Sequence, residues 1–215
     1  MAKEENLFEE KAKEEGGAVA VYGHDWGGEL KLPKRDGVGN YFVDWILARL
    51  DGEGNLVEFT AIEVQTIDTT GNYRLSRLAL FEPERRLVKS TVGLNWENVN
   101  KRIIPQIVYK GQVLQRERLN KTGLWFVTPV PVYDRIMRRL GGEHNLSFGF
   151  PSQPGAIHFL RYDYDFDKAV EGRPVPLKVA GEGCTTVEKV SAAFSNVGLP
   201  EPNVYEAAIR TALYD

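Results

Sequence analysis

Two apolar segments of this chain each carry one acid where a solvated strand residue does not belong. They are YFVDWILARL (Tyr41 to Leu50) and LVEFTAIEVQTI (Leu56 to Ile67), on either side of Asp51-Gly52-Glu53-Gly54-Asn55. β-Branched and aromatic residues flanking a glycine-rich turn predict a β-hairpin. Asp44 sits among Phe42, Val43, Trp45 and Ile46, and Glu63 among Ala61, Ile62 and Val64. A hairpin symmetric about its turn pairs position 50 with 57, and so places Asp44 opposite Glu63. Directly opposed residues share a face with Cβ atoms about 4.5–5.5 Å apart, so two carboxylates there repel and need compensation. Strand alternation puts Gln65 on the same face. An Asp, a Glu and a Gln at a sheet edge form an oxygen site suited to Mg²⁺, with the Val64 carbonyl as a candidate further ligand. A proton shared between the two carboxyls, or a one-residue bulge that turns one acid away, fits the same pattern.

Composition narrows the chemistry. Cys184 is the only cysteine, and the histidines stand apart at His24, His144 and His158, which excludes zinc sites built from Cys and His pairs. The glycine-rich stretch from Tyr22 to Asn40 holds no phosphate-cradling pattern. The formal net charge is −3, but residues 72 to 140 carry 14 Lys and Arg against 5 Asp and Glu. That local excess suits a polyanionic partner, because screening makes the field at a contact face a local property. No run of 18 apolar residues occurs and the first 15 residues hold six Glu and three Lys, so the expectation is a soluble, cytoplasmic protein.

The remaining pattern predicts one α/β domain, with a mixed central β-sheet flanked by helices, over residues 1–215. A leading helix stops at Gly16-Gly17 and a glycine-rich loop follows, completing an N-terminal part over 1–39. The catalytic core over 40–165 holds the hairpin, a helix from Asn95 to Tyr109 interrupted at Pro105, a strand from Gly123 to Val130, a helix from Pro131 to Leu140 and a strand from Ala156 to Tyr162. A C-terminal helical extension over 166–215 holds a helix to about Asn196, opened by a Thr185-Thr186-Val187-Glu188 capping box, and a last short helix from about Val204 to Leu213.

An Asp on one strand and Glu-x-Gln on the next resembles the PD-(D/E)XK nuclease superfamily, with Gln65 in the usual Lys position and Val43 in place of the Pro. The longer stretches AIEVQTIDTTGNYR (Ala61 to Arg74) and NWENVNKRIIPQ (Asn95 to Gln106) are similar to NotI-type restriction endonucleases, and the resemblance spans about residues 40 to 160. It implies a restriction-endonuclease-like core in which Asp44 and Glu63 bind Mg²⁺ and Gln65 helps orient the attacking water. The cysteine-rich metal-binding segment of the family's namesake has no counterpart here, because Cys184 stands alone. A shared recognition sequence is therefore not implied.

The resulting expectation is a Mg²⁺-dependent, type II restriction-like endonuclease. It would act on double-stranded DNA as a homodimer, alongside a cognate DNA methyltransferase for the same sequence. Asp44, Glu63 and Gln65 are the catalytic candidates, with Asp44, Glu63 and Val64 as metal ligands. Arg74, Lys101, Arg102, Lys110, Arg116 and Arg118 are the candidates for contacts to DNA phosphates. The alternative is a catalytically silent or structure-specific DNA-binding protein of the same fold.

Overall fold

The computed structural model describes residues 9–23, 42–89, 92–199 and 201–214. Strands β1 (Ala18–Gly23), β2 (Trp45–Leu50) and β3 (Leu56–Val64) form an antiparallel meander. The parallel strands β6 (Asn120–Pro129) and β7 (Ala156–Tyr164) extend it, and β8 (Leu177–Thr186) closes the far edge antiparallel to β7. The result is a six-stranded mixed sheet in the order β1-β2-β3-β6-β7-β8, flanked by helices. Between β3 and β6, the two-residue strands β4 (Thr69–Thr70) and β5 (Gly93–Leu94) pair with each other.

Helix α1 covers residues 9–14, and the chain turns at Gly16 with a positive φ of 67° before entering β1. Helix α2 (Arg74–Phe81) lies between β4 and β5. A π-helical segment (Val99–Ile103) leads into α3 (Ile104–Leu114), with Pro105 in the first turn of α3. Proline there lacks an N–H that a helix start does not use, and the wide turn before it absorbs the ring. Helix α4 (Val130–Arg139) joins β6 to β7, and α5 (Val187–Asn196) and α6 (Val204–Tyr214) end the chain. Thr186, rather than Thr185, caps α5, its hydroxyl accepting the Lys189 N–H at 3.4 Å. Thr185 belongs to β8 and donates to the Leu146 carbonyl.

Alternation along the strands decides what each face packs. Ala61, Leu124, Phe126, Ile157 and Phe159 turn toward α3, α4 and α5 and meet Ile104, Ile107, Ile136 and Val190 in the main core. Leu47, Ile62, Trp125, Val127 and Leu160 form a smaller cluster on the opposite face. Glu63 lies two residues beyond Ala61 and so points toward the helical layer. No helix among the described residues is long and apolar enough to cross a membrane.

Candidate active site at the end of the hairpin

The β2–β3 register pairs Trp45 with Ile62, Leu47 with Thr60 and Arg49 with Glu58, as a symmetric turn requires up to the irregularity at Arg49/Leu50. Asp44 lies one residue before β2, at a bend rather than mid-strand, and the ladder's register extended by one step sets it opposite Glu63. Its Oδ2 accepts the Val64 backbone N–H at 2.7 Å, which ties the acid to the last residue of β3. The bulge falls at the turn end of the ladder, so both acids stay on one face.

Compensation comes from a helix. The Lys110 ammonium lies 2.5 Å from Glu63 Oε1, and both residues are only 6% exposed. Helix α3 can approach this closely because residue 111 is glycine. A Cβ there would come within 2.8 Å of Ile157 Cδ1 and 2.9 Å of a Val187 methyl. Burial raises the Glu63 carboxyl above its ordinary range and the Asp44 charge adds to the rise, while Lys110 and the Asp44 backbone amide pull it down. Glu63 Oε2 is buried and has no hydrogen-bond partner.

A buried carboxylate oxygen without a partner is costly unless something else completes it. A divalent cation fits that position. Glu63 Oε2 is open and Asp44 stands across the ladder, leaving the Val64 carbonyl, water and substrate oxygens to fill the remaining places. Among the described residues no group of three or more His, Cys, Asp and Glu gathers, so two carboxylates are all that these residue types bring.

The other candidates are spread more widely. Gln65 continues the pairing of β3, its N–H donating to the Val127 carbonyl at 2.9 Å, but its amide nitrogen donates to the Thr66 carbonyl at 2.8 Å. Lys110 faces Glu63 in the interior instead of a phosphate at the surface. Lys101 pairs with Glu97 at 2.5 Å, and Arg102 with Asp68 at 3.3 Å just past the end of β3. Arg74 is exposed at the start of α2. Arg116 and Arg118 precede Asn120, which pairs with Phe59. Phe59 lies four residues before Glu63, about 13 Å along the strand, so both arginines sit toward the opposite end of the sheet. His24 and Asp25, in the glycine-rich loop, lie outside the described residues.

The sequence carries one signal of this buried lysine. It follows Ile103 and Ile107 and precedes Leu114 at spacings of four, three and four, which puts a cation on the buried face of a helix.

A search of curated proteins found no match. The family described as restriction endonuclease NotI matches residues 17–134, more than half of the chain and both strands of the acid-bearing hairpin. With that match over this sheet and this pair of acids, the chain belongs to the NotI restriction endonuclease family.

Proposed function

We propose that the protein is a Mg²⁺-dependent endonuclease of the PD-(D/E)XK type that hydrolyses double-stranded DNA at a specific sequence. The observation that carries this reading is the unpartnered Glu63 Oε2 at the Asp44–Glu63 pair in a chain of this family. Asp44, Glu63 and the Val64 carbonyl hold the cation. When bound, Mg²⁺ supplies the charge that polarises the phosphoryl oxygen and lowers the pKa of the attacking water. Lys110 holds Glu63 Oε1, so the carboxylate presents its other oxygen in a fixed orientation. Gln65, released from the Thr66 carbonyl, hydrogen-bonds the attacking water. An amide cannot serve as a general base, so the water's proton passes to a phosphate oxygen of the substrate as its oxygen bonds phosphorus, the P–O bond to the leaving sugar oxygen breaks and that oxygen takes a proton from solvent.

Arg74, Lys101 and Arg102 contact DNA phosphates and set the register of the duplex. A homodimer presents two such sites to the two strands of a palindromic target, and a methyltransferase specific for that target protects the host's own copies. The reading is tested by incubating unmethylated phage DNA with purified protein and Mg²⁺ and sequencing the fragment ends. Discrete fragments with a common end sequence support it. A smear contradicts sequence specificity, and salt-sensitive binding without cutting favours a silent DNA-binding protein.

A further inference from the structure

Asn100, Arg135, Arg138 and Arg139 line a cleft of about 230 Å³ where the π-helical segment meets α4. Two of its three guanidinium groups, those of Arg135 and Arg139, are held by contacts that leave their charge intact. Arg135 lies 5.9 Å from the Trp96 ring centroid and Arg139 4.8 Å from that of Phe194. Arg139 also donates to the Val197 and Phe194 carbonyls at 2.8 and 3.3 Å. Aromatic faces and main-chain carbonyls orient a guanidinium without neutralising it. Lys101, Arg102 and Lys110, by contrast, each have a carboxylate partner. None of the ion pairs among the described residues involves Arg135, Arg138 or Arg139, and Asp134, one turn before Arg138, does not pair with it.

We propose that this cleft binds a backbone phosphate of the DNA that flanks the one being cut. The proposal rests on the nuclease reading and adds a contact outside the catalytic pair. Planar guanidinium donors and the Asn100 amide match phosphate oxygens in geometry and charge. Asn100 precedes Lys110 by ten residues of continuous helix, roughly 15 Å at 1.5 Å per residue. A separation of that order sets the cleft at a phosphate flanking the one at Asp44 and Glu63. The three arginines fall just beyond the residues that the family match covers.

Binding of the full chain to a duplex of about 30 bp, in EDTA to prevent cleavage, is measured from about 50 to 200 mM salt. Arg138→Ala should weaken binding several-fold and reduce the slope of log affinity against log salt by about 1, for every duplex sequence alike. Arg138→Glu should weaken binding further, and Arg138→Lys should retain the slope. Arg116→Glu, the same charge change toward the opposite end of the sheet, should leave it unaltered. A wild-type slope in Arg138→Ala and Arg138→Glu, or an equal fall in Arg116→Glu, overturns the cleft and leaves the nuclease reading standing. A wild-type protein with no salt-dependent affinity for DNA overturns both. Arg138 is exposed, so its variants should unfold at the wild-type temperature, which melting curves check.

Discussion

The two ends of the β2–β3 ladder both bury charge, and they do so in opposite ways. Toward the turn, Arg49 faces Glu58 across the register, 2.9 Å apart and both 6% exposed, with Glu15 also against the Arg49 guanidinium. Those charges complement each other, and neither side chain is left with an unpartnered buried atom. At the other end two acids face each other, one ammonium pairs with Glu63 alone, and a carboxylate oxygen remains open. A closed pair holds strands in register; an incomplete one leaves an oxygen free for a ligand. The same ladder carries a structural device and a candidate site, separated only by whether the charges balance.

Substitution should separate the two ends. The largest effect is expected for Asp44→Ala, which removes one of the two carboxylates proposed to hold the cation. Loss of several kcal/mol of transition-state stabilisation corresponds to about a 10³-fold fall in cleavage rate, read from the fraction of plasmid cut over time. Its melting temperature should change little, because Asp44 is only half-buried and holds one backbone amide.

Lys110→Met strands the Glu63 carboxylate and should lower stability by about 3–5 kcal/mol at neutral pH, measured by denaturant unfolding in EDTA. The sign of its pH dependence follows from Glu63. A carboxyl whose folded pKa is raised contributes stability that is complete below its ordinary range and lost as pH rises through the folded value. Without Lys110 that value rises further, so the variant should approach wild-type stability near the ordinary carboxylate range and fall behind as pH increases. A pH-independent deficit would mean that Lys110 acts through packing alone.

At the closed end, Glu58→Ala should lower stability by about 3 kcal/mol, the low end for a broken buried pair because Glu15 remains on Arg49, with cleavage at saturating DNA unaltered. The smallest effect concerns His158, whose ring stacks on Trp125 at 4.2 Å and lies 3.0 Å from the Thr122 carbonyl. Burial holds it below its ordinary value. Its contribution is complete above pH 6.5 and is lost as pH falls, a trend that His158→Phe should flatten in melting curves.

The elements that the sequence made legible are those with apolar periodicity. The hairpin register could be read because β2 and β3 are buried on both faces around a short turn. The helices ending at Leu114, Arg139 and Asn196 could be read because each has an apolar stripe. β8 is not legible in the sequence because LKVAGEGCTT is half exposed and mixes Lys, Glu and Gly into an edge strand held by pairing with β7. β1 went unread because AVAVYG is short and follows directly on the helix stop at Gly16-Gly17. α2 was missed because Leu75, Leu78, Leu80 and Phe81 stay exposed, so no core contact marks a face. In the site, the opposed acids followed from register alone. The lysine on Glu63 did not, since the two are 47 positions apart in the chain and only the fold of α3 over β3 brings them together.

A Mg²⁺-dependent nuclease site at the open end of the ladder, and none at the closed end, would separate wild type, Asp44→Ala and Glu58→Ala in cleavage of unmethylated phage DNA, each assayed with Mg²⁺ and with EDTA. Discrete fragments from wild type and Glu58→Ala in Mg²⁺ alone, with none from Asp44→Ala, are the predicted result. Cutting by Asp44→Ala at the wild-type rate, or by wild type in EDTA, would contradict it.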